Sequence, residues 1–444
     1  MDEVAHHPFL KLPKFGSGIG LHRARYLADY FGINSEDISK KSVVLTGSNG
    51  KGSTSRIASE LLKAAGLNVG LFTSPHLYQY NERFQFNGTP IDDEALLANM
   101  TEIINAVTAY EKKYSDKIGA FEAQYALAIK WFSECNADCM VLEAGIGGRY
   151  DPVRIAKSKV AGLVSLDLEH TELLGKTLQE IALDKMDACS EGGSLICGES
   201  CYKVRTEIEC YAWLKELDIK FLSDAHWKFA GVADGHQQFD IYTEGVELKG
   251  LNSRLAGRHQ LNNHAISIEL CHALLKRQKK WNSDLARTQW PGAIKRVYWP
   301  GRLEKIHNAP PVYIDVGHTP DAVTLALDGF QSLTPDQPSL LVVGGSYNKK
   351  MDEIVRLLAP SFGTIICTSA YHNGINVLEV ERYVKESNPD ALVFVEPTIE
   401  GAVEKAMSEA EKNGLTVYIA GGLFLAIEFA HTLRGGNARD LHFF

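Results

Sequence analysis

Apolar positions along the chain alternate between two periods. Near-continuous apolar runs at 43–45, 68–72, 139–142 and 160–166 predict strands buried on both faces. Helical spacing predicts helices over 92–115, 121–134 and 177–188, and the set Ile57, Leu61, Leu62 and Ala65 predicts one that opens near residue 51. Residues 19–31 carry a further helical pattern (Leu21, Tyr26, Leu27, Tyr30) that stops at Gly32. Strands alternating with helices predict an α/β fold around a parallel sheet. Over 226–252 the period shortens to alternation, as in Gln238-Phe239-Asp240-Ile241-Tyr242, which predicts a small antiparallel elaboration. A helix follows over 256–275. Pro291, Gly292, Pro300 and Gly301 then break the pattern. The βα alternation restarts with strands expected at 312–315, 339–344, 363–367, 391–395 and 415–420. The reading is two domains, 1–296 and a smaller α/β domain over 297–444.

The stretch between the first strand and its helix is Thr46-Gly47-Ser48-Asn49-Gly50-Lys51-Gly52-Ser53-Thr54. Strand, glycine-rich turn and helix is the setting of a phosphate-binding loop. Glycines let backbone amides close on an anion, and a helix N-terminus adds unpaired N–H groups. Lys51 supplies a point charge for outer phosphates, and Ser53 or Thr54 a hydroxyl for magnesium. The alternative is a glycine-rich βα turn with no ligand. Gly52, between Lys51 and the hydroxyl, departs from the commonest form of the motif.

Composition narrows the field. At 444 residues, 45% hydrophobic and 23% charged, the chain is an ordinary globular one. A net charge of −9 argues against non-specific nucleic-acid binding. The eight cysteines form no CxxC pair and read as buried or free thiols of a reducing compartment. No signal-like segment and no apolar run of membrane-spanning length stands out, so the expectation is a cytoplasmic protein with no membrane partner.

Glu143 ends a four-residue apolar strand and precedes Ala144-Gly145-Ile146-Gly147-Gly148-Arg149. A carboxylate at the tip of a strand beside a phosphate loop is where P-loop NTPases hold magnesium. The alternative is a strand-end Glu next to a glycine turn. Thr73-Ser74-Pro75-His76-Leu77 ends the second strand, where open parallel sheets bind ligands. His170 in a loop and Lys185 in a helix are unremarkable alone. Gln260 and Asn263, three apart, share a helix face.

Together these segments resemble the folylpolyglutamate synthase/dihydrofolate synthase family of the Mur ligase superfamily. The resemblance rests on Gly47-Ser48-Asn49-Gly50-Lys51-Gly52-Ser53, Thr73-Ser74-Pro75-His76-Leu77, Glu143 through Asp151, and Glu169-His170-Thr171 with Leu174-Gly175. It continues through Gly257-Arg258-His259-Gln260-Leu261-Asn262-Asn263, Pro300-Gly301-Arg302-Leu303-Glu304 and Asp315-Val316-Gly317-His318, in family order. It implies a P-loop parallel-sheet ATPase-like domain over 1–296 and a Rossmann-like, glutamate-ligase-type domain over 297–444. The implied reaction activates a carboxylate with ATP as an acyl phosphate, which an amine, usually L-glutamate, attacks; the acid is dihydropteroate or a (tetrahydro)folate. The family places ATP on Gly47, Asn49, Gly50, Lys51, Gly52, Ser53 and Thr54, with Gln260 and Asn263 toward adenine, Arg302 toward phosphates and Asp315 toward ribose. Ser53 and Glu143 would hold a first magnesium, and His170 and Lys185 would belong to a second site where the family's lysine is carbamylated. Lys51, His170 and Lys185 are the implied catalytic groups. Ser74, His76, Arg83 and His318 are the substrate-side candidates. A monomer is the family default.

Departures fall mostly away from the ATP and metal groups. Ser48 replaces a threonine, Glu169 an aspartate, and His22 an acid. Pro152-Val153-Arg154 stands where Ala-Thr-Asn is common, Thr319 replaces Asn, and Gly421-Gly422 replaces glycine-serine. Lys185 lacks the usual alanine-glycine after it. ATP-dependent ligation is therefore better supported than folate as its substrate. A divergent Mur-type ligase on a non-folate acid and amine, or a nucleotide-binding protein without turnover, are the alternatives.

Overall fold

The structure is a computed structural model and describes residues 7–347 and 350–443. The chain opens with α1 (His22–Tyr30) and α2 (Ser35–Lys41), then β1 (Ser42–Thr46), α3 (Lys51–Ala64), β2 (Val69–Phe72), β3 (Phe84–Phe86) and β4 (Thr89–Pro90). It continues with α4 (Asp93–Lys113), α5 (Ala120–Glu134), β5 (Cys139–Glu143), β6 (Val160–Leu163), α6 (Thr171–Leu174), α7 (Leu178–Met186), β7 (Ser194–Cys197), α8 (Arg205–Leu214) and β8 (Asp218–Phe221). These eight strands form one sheet in the order β4-β3-β2-β5-β1-β6-β7-β8. It is parallel from β2 to β8, with β3 and β4 antiparallel at one edge.

The near-continuous apolar strands follow from cover on both faces. Along β1, Val43 and Leu45 enter one core and Val44 the other. β9 (Trp227–Ala233), β10 (His236–Tyr242) and β11 (Glu247–Ser253) make the expected antiparallel sheet. There the sequence alternates because one face is wet: β10 reads intermediate and buried in turn.

α9 (Arg258–Arg277) and α10 (Ser283–Arg296) pack against α3. Pro291 and Gly292, expected to break the pattern, lie inside α10. Tertiary packing overrides the local cost of an internal proline, about 3 kcal/mol. Trp290 is fully buried and donates its indole N–H to Leu61 O at 3.1 Å, with Ala286, Ala293 and Ile294 buried on the same helix.

Then come β12 (Glu304–Asn308), β13 (Pro311–Ile314), α11 (Pro320–Leu333), β14 (Ser339–Val343), α12 (Met351–Leu358), β15 (Thr364–Thr368), α13 (Val377–Ser387), β16 (Leu392–Glu396), α14 (Ile399–Asn413), β17 (Thr416–Ala420) and α15 (Leu423–Leu433). The six strands order as β12-β13-β17-β14-β15-β16, parallel except for β12. No helix among the described residues is long and apolar enough to cross a membrane.

Trp290→Ala should destabilise the protein by about 3–5 kcal/mol, since it opens a large cavity in the core and removes the indole hydrogen bond to Leu61 O. Chemical denaturation checks this, and a midpoint matching the parent would show that α10 is not anchored there.

Candidate active site

Four loops at the carboxyl ends of β1, β2, β5 and β6 meet around Lys51. The first begins where β1 ends and closes at the first turn of α3. Gly47 and Gly50 take φ of 141° and 83°, angles side chains rarely adopt. Both positions are also crowded: a Cβ at Gly50 would stand 2.7 Å from Asn263 Oδ1, and one at Gly47 2.9 Å from Ser165 N. Gly52 lies under the Trp299 indole, 3.1 Å from a would-be Cβ to Nε1. The offset glycine thus makes room for a residue that comes from just before the second sheet.

The loop is bound to the turn after β6. Ser48 N donates to Ser165 O (3.0 Å), Asn49 N to Ser165 Oγ (2.7 Å), and Asp167 N to Ser48 Oγ (3.0 Å). Lys51 Nζ folds back onto Gly47 O at 2.6 Å and Ser48 O at 3.2 Å. Ser53 is buried in the first turn, and Thr54 Oγ1 donates to Gly50 O at 2.9 Å.

Glu143, at the tip of β5, is 4% exposed and accepts from Ser74 N at 3.1 Å. Burial pushes its carboxyl up to about 7, against the pull of Lys51, Arg302 and Arg83. Three cations from separate parts of the chain thus act on one carboxylate. The loop after it is held by two aspartates. Asp151 Oδ2 accepts from Gly145 N and Ile146 N (2.9 and 3.0 Å), and Asp184 Oδ1 from Gly148 N (2.9 Å). Thr46 Oγ1 ties the phosphate-type loop to the same segment through Gly147 O (2.7 Å). Pro152–Ala156 forms a short 3-10 turn capped by Asp151, so the departure at 152–154 is absorbed in the loop's own packing.

Lys185 is 1% exposed on α7, with Nζ 3.0 Å from Glu169 Oε1. Burial and then the Lys51 charge lower its pKa, and Glu169 opposes them. His170 takes φ 46° and places Nε2 4.0 Å from Glu169 Oε2. Asn263 Nδ2 donates to Gln260 Oε1 at 2.9 Å, on the helix face behind Gly50. Asp315 is buried; its Oδ2 accepts from Leu303 N (3.1 Å) and its Oδ1 from Gly317 N (2.7 Å), which fixes the turn that presents Arg302. His76 is buried, with Nδ1 2.9 Å from Arg83 Nε. His318 is exposed beyond Asp315, Nδ1 3.4 Å from Val316 O.

Sequence reasoning gave no role to Asp151, Asp184, Ser165 or Trp299. Asp151 carried a signal, a short acid just after a glycine run. The other three partner residues too distant in sequence to be inferred.

A magnesium ion fits this chemistry. Among the described residues no group of three or more His, Cys, Asp or Glu side chains could hold a metal alone. Magnesium is usually held by one or two carboxylates together with phosphate oxygens and water, and Glu143 beside the loop offers that.

A phosphate-type loop on a parallel sheet, joined to a second parallel sheet, is the architecture of a Mur-type ligase. The family described as Mur ligase, glutamate ligase domain matches residues 301–423. A dihydrofolate synthase/folylpolyglutamate synthase of Bacillus subtilis is 33% identical over 316 residues, 70% of this chain and 71% of that protein. The folylpolyglutamate synthase of Lacticaseibacillus casei is 27% identical over 440 residues, 97% of this chain and 98% of that one. Among solved structures, the Mycobacterium tuberculosis folylpolyglutamate synthase complexed with ADP and AMPPCP superposes with a TM-score of 0.83 at 23% identity, covering 98% of this chain and 100% of that one. The chain belongs to the folylpolyglutamate synthase/dihydrofolate synthase family, a family of ligases.

The folded Glu143 carboxyl takes up its proton near pH 7, and an unfolded one near 4.5. The cost of burying its charge is therefore absent below pH 4.5, grows between the two values and is complete above 7. Glu143→Gln should stabilise the metal-free, nucleotide-free protein by about 3 kcal/mol above pH 7, with the gain vanishing toward pH 4.5. Unfolding measured at both ends of that range checks the sign; equal gains at both would exclude a raised carboxyl.

Proposed function

We propose that this chain is an ATP-dependent ligase that joins L-glutamate to the carboxylate of dihydropteroate or a reduced folate. The observation that carries this is the convergence of Lys51, Arg302 and Arg83 on the buried Glu143 beside a phosphate-type loop. Phosphorylating a carboxylate brings several negative charges into one water-poor crevice, and fixed cations there stabilise what water would otherwise screen. The relatives carry folate in their names, which supports the choice of acid.

In this reading the backbone amides of Gly47 to Gly52 and the α3 N-terminus cradle the ATP phosphates, and Lys51 swings from its carbonyl contacts onto the outer ones. Gln260 and Asn263 line the nucleotide base, and Arg302, held by the Asp315 turn, reaches the phosphates from the second sheet. Ser53 and Glu143 would hold magnesium, which supplies charge neutralisation to the phosphates. The acceptor carboxylate lies toward Ser74 and Arg83, and glutamate toward His318. The carboxylate attacks the γ-phosphorus and ADP leaves; the glutamate amine then displaces phosphate to form the amide.

His170 and Lys185 would form a second cation site if Lys185 becomes a carbamate. The lowered pKa favours the neutral amine that reacts with CO₂, whereas the Glu169 contact favours the ammonium. We place the protein in the cytoplasm as a monomer.

A substrate panel tests the reading. Phosphate release should require ATP, glutamate and either dihydropteroate or tetrahydrofolate. Release with another acid and amine but neither folate form would make it a different Mur-type ligase; nucleotide binding with no turnover would make it no enzyme. Lys51→Ala should cut turnover by roughly 10²–10³-fold or more with the fold retained, and near-parental turnover would exclude the phosphate role. A peptide carrying Lys185 in the intact protein's bicarbonate-buffered mass spectrum should gain the mass of one CO₂; its absence there would remove the carbamate.

A further inference from the structure

Residues 437–443 follow α15 and run back to the loop after β2. Ala438–Asp440 form a short 3-10 turn, and Leu441 and Phe443 are buried in the second sheet's core, where Leu77 and Tyr78 of that loop also pack. At the crossing, His76 Nε2 lies 2.6 Å from the carbonyl oxygen of His442. A carbonyl only accepts, so Nε2 carries the ring proton. Arg83 Nε, 2.9 Å from Nδ1, only donates, so Nδ1 is the acceptor. The two contacts select one neutral tautomer, and burial together with Arg83 keeps the ring from gaining a second proton.

Arg83 is 5% exposed, and among the described residues it makes no ion pair. Its Nη1 is 3.3 Å from Gln124 Oε1, and its guanidinium stands 5.1 Å from the Tyr80 ring. Burial lowers its pKa, and Tyr80, Glu143 and Glu82 oppose that shift. A buried cation in this state is costly to hold unless an anion joins it. The shorter of its two side-chain hydrogen bonds, the one to His76, fixes the Nε edge of the guanidinium.

We propose that the 437–443 segment is a positioning element for the acceptor side of the site. The His442 carbonyl holds His76 in one tautomer, and His76 holds Arg83 toward the Glu143 side, where an acceptor carboxylate pairs with it. The relay joins residues 366 apart, so docking of the second sheet's domain and orientation of Arg83 become one event. The identity of the anion rests on the ligase reading; the relay itself does not.

The test uses a chain ending at residue 436 together with full-length His76→Phe and His76→Gln. In the shortened chain and in His76→Phe, KM for dihydropteroate should rise about tenfold or more, the scale of one lost charge-assisted hydrogen bond. KM for ATP and AMPPCP affinity should stay within about twofold. His76→Gln, which keeps a donor toward His442, should recover part of the loss. Nitrogen-15 spectra of the His76 ring should show protonated Nε2 in the full chain and mixed tautomers in the shortened one. An unchanged dihydropteroate KM in both variants, or a parallel rise in the ATP KM, would overturn the positioning role. A ring protonated at Nδ1, or a ring spectrum unmoved by the shortening, would overturn the relay, and this holds even if no acid supports turnover.

Discussion

Everything at this site answers to one buried carboxylate. Glu143 sits where β5 ends, out of reach of water, and its charge is tolerable only beside cations. Lys51 comes from the start of α3, Arg83 from the end of the β2 loop and Arg302 from the link to the second sheet. Each is held by a separate piece of architecture, so loss of order in any of them would leave a buried charge uncompensated. On the reading proposed above, the same imbalance would suit the larger charge of phosphates and an acyl carboxylate, since a field built by the fold needs no rearrangement when the charge arrives.

The loops that build this field are rigid for backbone reasons. The β5 loop presents its amides inward because Asp151 and Asp184 accept them, one from within the loop and one from α7. The phosphate-type loop is glycine at three positions for three reasons. Gly47 and Gly50 need the left-handed region and have no room for a Cβ, and Gly52 has Trp299 lying over it. The Trp299 contact also makes the first turn of α3 part of the junction between the two sheets.

That junction brings a charge from the link to the second sheet to bear on Glu143. Asp315 spends both carboxylate oxygens on backbone amides, which sets the turn that carries Arg302. What the structure shows of Asp315 is therefore this structural role. Arg434 bonds both Tyr78 and Glu304, linking the β2 loop to β12 on the same side as the His76–His442 contact. Closure over a ligand would thus move a connected set of polar groups, which favours exclusion of water from a reactive acyl phosphate.

Much of this was readable from the chain alone. Periodicity reports burial directly, so Val43-Val44-Leu45 announced a strand covered on both faces, and Gln238 to Tyr242 one covered on a single face. Glycine spacing reports backbone geometry, so Gly47 and Gly50 announced a tight strand-to-helix turn with positive φ. These signals are local: steric limits on φ and the repeat of side chains along a strand or helix operate within a few residues. Other features had no local trace. Pro291 looks like a helix breaker until Trp290 is seen buried against Leu61. Gly52 looks like a blemish until Trp299 covers it. Ser165, Asp184 and the His442 carbonyl act only because folding brings them beside residues up to hundreds of positions away. Hydrogen bonds and buried charges are settled by distance in space, and distance in space is decided only once the two sheets have packed.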